Sequence, residues 1–154
     1  MAHIFNMTPE LRQEALKMQL RQADVNEVAA ATGKAPEDAL RESIDNSISC
    51  FVILHEGEVI AVFGLSEGDG WVTPWMLATD NLVKHKRELL PVSRAVVSEW
   101  SKDHYVLFNH VDSRNTSAIL WLRWLGFHVH TDCPLTLHDP AIPFLPFTLY
   151  QRHS

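Results

Sequence analysis

The chain has 154 residues, 46% of them hydrophobic and 21% charged, with a formal net charge of −6. That length carries one domain, residues 1–154, with a core of its own, and the hydrophobic content excludes a disordered chain. The acidic balance argues against nucleic acid as a partner, because sequence-independent phosphate binding needs a basic footprint.

No apolar run reaches the roughly 18 residues of a membrane span, and the N-terminal MAHIFNMTPE lacks the charged-then-apolar layout of a signal peptide. No membrane association is expected. Cys50 and Cys133 supply neither a disulfide framework nor metal-ligand spacing. A reducing cytoplasm, or a particle assembled there, is the expected setting.

In chain order, Thr8-Pro9-Glu10 starts a helix, with proline tolerated at the first helical position. Leu11, Ala15 and Met18 continue its apolar face, yet Met18, Leu20 and Gln22 also alternate as a strand would. Asp24 and Glu27 have capping-box spacing, Val25, Val28, Ala29 and Ala31 give the apolar side, and Gly33 is the stop. Pro36 opens a second helix that buries Ala39, Leu40 and Ile44. Residues 48–65 form a hairpin, ISCFVIL and VIAVFGL around the turn HEGE, apolar enough to be covered on both faces. A third strand, Trp71–Ala78, carries Pro74, which marks an edge or a bulge. Residues 82–102 are helical, with Pro91 near a first turn or between two helices. Tyr105–Val111, Phe127–Thr131 and Phe147–Arg152 are the remaining strands. PLTLHDPAIPFLP at 134–146, with four of the eight prolines, is an ordered but irregular crossing.

Val111–Phe127, VDSRNTSAILWLRWLGF, reads as strand end, loop, helix and stop. Asn115 is placed to cap the helix, Ala118, Ile119, Leu122 and Leu125 make its apolar face, and Gly126 ends it. The pattern N-x-x-A…L-G-F resembles the coenzyme A-binding motif of the GNAT acyltransferase superfamily, and LRQADVNEV at 20–28 resembles its first strand and helix. The resemblance implies an α/β GNAT fold: a mixed, mostly antiparallel sheet of about seven strands with helices on both faces, and a strand near 17–22. It implies acetyl-CoA as cofactor, an amine acceptor, and a cleft where the strands ending near Thr79 and Val111 splay apart. Backbone groups of Leu77, Ala78 and Thr79 would hold the thioester, and Asn115 the pantetheine arm. The family's Tyr, seven residues after the Asn, is Leu122 here.

The family's glycine-rich pyrophosphate turn aligns with DNLVKHKRELL at 80–90, which has no glycine. Lys84, His85, Lys86 and Arg87 stand in its place, as a charged phosphate site or as a solvated basic turn. His110 and Asp112 share one strand face, so either is a candidate base; the alternative is that Asp112 and Arg114 hold the loop. His128 and His130 would face His110 across a strand pair, as a zinc set or, on the better reading, a polar strand face; no metal site is expected. Trp121 and Trp124 pack a core, or form a partner patch with Phe144, Leu145 and Phe147. Ser113, Ser117 and Cys133 lack the neighbours of a nucleophile.

From Trp75 to Phe127, WMLATDNLVKHKRELL…SRAVVSEW…VLFNHVDSRNTSAILWLRWLGF is similar to GNAT-like proteins of short-tailed bacteriophages, which include the internal virion protein A family. That narrower resemblance implies a phage protein acting in the host cytoplasm or packaged in the virion. Its role would be an N-acyltransferase or a non-catalytic module binding a host or virion protein.

Overall fold

The computed structural model describes residues 1–151. Its elements are β1 (Ala2–Asn6), α1 (Pro9–Ala15), α2 (Gln22–Thr32), α3 (Pro36–Asn46), β2 (Ser47–His55), β3 (Glu58–Glu67), β4 (Val72–Ala78), α4 (Asn81–Lys84), α5 (Lys86–Asp103), β5 (Val106–Asp112), α6 (Thr116–Trp124), β6 (His128–Val129), β7 (Leu135–Thr136) and β8 (Pro143–Tyr150). The sheet runs β1-β2-β3-β4-β5-β8-β6, with β7 on the side of β8. Every pair is antiparallel except β4 with β5. This is the expected mixed, mostly antiparallel sheet covered by helices, and it is the GNAT fold.

The layers follow from the alternation of side chains along each strand. Trp75 and Leu77 of β4 turn toward α1, α2 and α3, where Ala15, Val28, Leu40 and Ile44 pack on Val52 and Val62. Met76 and Ala78 turn the other way, toward α4 and α5, with Ile60, Phe63, Leu82 and Leu89. A third cluster, including Val97, Leu107, Ile119, Phe127 and Phe147, fixes α5 and α6 over the β5–β8–β6 half. The hairpin closes through Glu56 and Gly57, both at positive φ (50° and 78°), the two-residue turn whose twist suits antiparallel strands.

Several expectations need correction. No strand forms at 17–22: Leu16, Lys17 and Met18 donate back to Arg12, Glu14 and Ala15, so the helix unwinds through a turn instead. Met18 and Leu20 still pack on the core. The sheet position beside β2 is filled by Ala2–Asn6, in unbroken register from Ala2 opposite His55 to Asn6 opposite Phe51. Pro74 makes no bulge, since β4 stays in register with β3 from Ala78 to Val72. The last strand begins at Pro143 rather than at 147, and its expected end at Arg152 lies outside the described residues. β6 pairs with β8, which lies between it and β5, so His128 and His130 do not face His110 across a strand pair. Among the described residues, no helix is long and apolar enough to cross a membrane.

Candidate active site

β4 and β5 run parallel but share a single bridge, Val72 with Leu107, near their N-terminal ends. Beyond it they part, and the Asn109 side chain takes over: its Nδ2 donates to the Pro74 carbonyl at 2.8 Å. Backbone polar groups alternate between the two edges of a strand. Pro74 therefore turns toward β5 the edge on which a missing N–H breaks no bond to β3. Ala78 faces the same edge, and there its N–H donates to Asp24 Oδ2 at 2.8 Å while its carbonyl accepts from Arg21 N–H at 2.8 Å. Met76 lies midway between them. Its N–H and C=O point into the gap that β5 has left.

The wide end of the gap is closed by α2. Asp24 and Glu27, three residues apart, project from one helix face. Asp24 is buried, paired with Arg21 at 2.8 Å, and binds the end of β4. Glu27 Oε1 accepts the N–H of Asp112 at 2.8 Å and so binds the end of β5. The capping-box reading is thus overturned: Arg21 is the N-cap residue, and both carboxylates serve the strands rather than their own helix. Burial pushes the Glu27 carboxyl up to about 7; the Asp112 N–H and Arg21 pull it down in part, while the charges of Asp24 and Asp112 add to the rise. A carboxyl poised near neutrality in a cleft is a candidate general base.

A cavity of about 480 Å³ occupies the splay and has walls on both faces of the sheet. Toward α2 and α3 it is lined by Glu27, Val28, Ala31, Leu77 and His110, and toward α5 and α6 by Lys86, Leu89, Ser93, Trp121 and Leu122. Asn115 and Ser117 border it at the start of α6. Its size suits a small-molecule site.

The sequence-derived candidates divide around this cavity. His110 lines it, half-buried and edge-on to Phe108 at 4.9 Å; burial lowers its pKa, so the ring is neutral at pH 7. Asp112 is no base. Burial raises its pKa, but bonds from the Arg114 side chain (2.6–3.2 Å) and backbone N–H (2.9 Å) outweigh that and hold it low. It pins the loop before α6. Asn115 caps α6, accepting from Ala118 N–H at 3.3 Å, and borders the cavity as well. Leu77 contributes its side chain to the cavity wall, while its polar backbone groups face β3. The Ala78 N–H is taken by Asp24, and Thr79 donates both N–H and Oγ1 to the Ile60 carbonyl (2.9 and 3.2 Å). The open backbone donor is therefore Met76, which sequence reading missed. The signal available for it was Pro74, two residues earlier on the same edge.

The turn after β4 winds straight into helix. Asn81 N–H bonds Thr79 Oγ1, while Leu82, Val83 and His85 donate to Thr79, Asp80 and Leu82. His85 turns away from the cavity, its Nδ1 2.8 Å from Glu88 Oε1 and its ring 4.0 Å from that of His55. Lys84 and Arg87 are exposed. Lys86 alone of the four reaches the cavity, with Nζ 5.5 Å from the Trp121 ring centre. His85 adds no side-chain cap to α5, so the N–H groups of its first turn have no such partner. Trp121 bonds Ser93 Oγ at 3.2 Å, and Arg94 lies 3.7 Å from the Trp124 ring; both tryptophans clamp α6 to α5. Phe144, Leu145 and Phe147 are core, so the alternative of a partner patch does not form from them. His128 and His130 stack edge-on at 4.3 Å, His130 Nε2 is 2.9 Å from Thr148 Oγ1, and no group of three metal-binding side chains occurs among the described residues.

No protein-family model matches the chain, and no curated protein matches it by sequence. Solved structures do. An N-acetyltransferase from Staphylococcus aureus Mu50 superposes with a TM-score of 0.72 at 17% identity, covering 99% of each chain. The protein smu.2055 from Streptococcus mutans UA159 gives 0.71 at 18% identity, over 97% of this chain and 99% of that one. Spermidine N-acetyltransferase from Vibrio cholerae, solved with CoA and spermine, gives 0.63 at 12% identity, over 97% and 95%. At such identities the likeness establishes the fold: this chain has the architecture of GNAT acetyltransferases. Nothing in these likenesses links the chain to phage proteins.

Proposed function

We propose that the protein transfers an acyl group from an acyl-coenzyme A thioester to an amine, in the splay between β4 and β5. The observation that carries this is the open backbone edge at Met76, set in the same cavity as Glu27. The thioester supplies the activated acyl group. Met76 offers its N–H where the acyl oxygen gains negative charge, and a preorganised donor of this kind contributes about 3 kcal/mol. Glu27 takes the amine proton, with neutral His110 as a second acceptor in the same wall. Asn115 borders the path of the pantetheine arm. Lys86 and the first turn of α5, with Lys84 and Arg87 outside, would meet the phosphates in place of a glycine cradle. Leu122 gives no proton to the leaving sulfur, a small loss because a thiolate is stable within about two units of neutrality.

A second reading keeps the fold as a non-catalytic module for a host or virion protein, in a phage-infected cytoplasm or a particle. It is favoured by one feature, the turn at 79–85, where the N–H groups of Thr79, Asn81, Leu82, Val83 and His85 are spent internally rather than left for phosphates. Thiol release from acetyl-CoA in the presence of primary amines separates the two. The enzyme reading expects turnover that Glu27→Gln depresses. Folded protein that releases no thiol with any amine supports the module.

A further inference from the structure

Resting on the acyl-transfer reading, the structure also bears on the acceptor. We infer that it is a small primary amine carried on an uncharged, apolar body, bound in the α2/α3 half of the cavity beneath the proline-rich segment. Three observations carry this.

The first is charge. Asp24 is spent on Arg21 and on the Ala78 N–H. Among the described residues, Glu27 is then the one carboxylate lining this half of the cavity without a basic side chain bonded to it. One carboxylate serves one amino group, and a polyamine would leave its other ammonium groups buried without partners, at a steep desolvation cost. The second is lining. Val28, Ala31, Ala39, Leu77, Leu137 and Phe144 present hydrocarbon to whatever lies beside Glu27. The third is enclosure. His138 and Asp139 N–H both donate to the Ala30 carbonyl (3.2 and 2.9 Å), and Pro143 accepts from Ser113 N–H at 3.1 Å. The His138 ring lies so close over Gly33 that a Cβ there would stand 2.5 Å from Nε2. The segment is thus strapped onto α2 and carries Leu137, still partly exposed, to the rim of the cavity. The strap takes up space on that side that an extended peptide acceptor would need.

In the step itself the amine lone pair forms the C–N bond, the C–S bond breaks with its electron pair going to sulfur, and the amine proton passes to Glu27.

The test compares phenethylamine, spermidine and a peptide with a free N-terminal alanine as acceptors for acetyl-CoA, following thiol release and acetylated product. The inference expects kcat/KM for phenethylamine to exceed the other two by about 10-fold or more. It also expects Leu137→Glu, which adds a carboxylate to the rim, to move the preference toward spermidine. Preference for spermidine or the peptide by the unaltered protein overturns the inference and leaves acyl transfer standing. Binding of acetyl-CoA with none of the three consumed also overturns the inference, and if no other amine releases thiol the acyl-transfer reading falls with it. Failure of the folded protein to bind acetyl-CoA overturns the acyl-transfer reading itself.

Discussion

Asp24 and Glu27 point the same way from α2, and each takes a backbone N–H from a different strand, so a single helical turn closes the open end of the sheet. The two residues differ in what remains to them. Asp24 is neutralised by Arg21 and is structural; Asp24→Ala would strand the guanidinium and the Ala78 N–H, costing about 3–5 kcal/mol in urea denaturation. Glu27 keeps a proton up to about 7 when folded and releases it near 4.5 when unfolded. Between those values the folded chain binds more protons, so this group's contribution to stability falls as pH rises from 4.5 to 7 and stays low above. At about 1.4 kcal/mol per unit the loss is at most about 3 kcal/mol. Glu27→Gln should abolish that decline, which urea midpoints at pH 5 and pH 8 would reveal. The same variant should lower kcat/KM by about 100-fold or more and flatten a pH profile that otherwise rises to a plateau above about 7. A variant that keeps the wild-type profile would move the base elsewhere, to His110 first.

At the scale of elements, β4 is the strand whose outer edge lost its partner. Proline at 74 shows that this edge tolerates a missing N–H. Met76→Pro should therefore leave the circular dichroism spectrum nearly unchanged while removing the donor, and lower kcat by about 100-fold. Unchanged turnover in the folded variant would take the acyl oxygen away from Met76. Asn115→Ala should cost about 1 kcal/mol as a lost helix cap; a further loss of acetyl-CoA affinity would add a cofactor role. The helices and the hairpin were legible because their signals are local: apolar spacing, Gly33 and Gly126 as stops, a short glycine-containing turn at HEGE. The first strand was not, because Ala2–Asn6 is short and its place in the sheet is decided by pairing with β2. Glu27 was legible only as a cap, since its spacing from Asp24 suits a cap and a strand clamp equally. What separates them is the position of β5, far along the chain.

At the scale of the molecule, the fold places one parallel, diverging pair in an otherwise antiparallel sheet, and the cavity follows from that divergence. The resemblance in Val111–Phe127 reached this architecture because the motif helix, its cap and its stop are written in consecutive residues. It did not reach the turn after β4. There the chain departs from the pattern it resembles, with cationic side chains and no glycine at 80–90.

The most direct test is calorimetric titration of the folded protein with acetyl-CoA at low and moderate salt, alongside the double variant Lys86→Glu, Arg87→Glu. The account predicts micromolar binding that weakens with added salt, as exposed phosphate contacts must, and that weakens markedly in the variant. No binding up to millimolar acetyl-CoA would contradict it, leaving a GNAT-shaped module without a coenzyme A site.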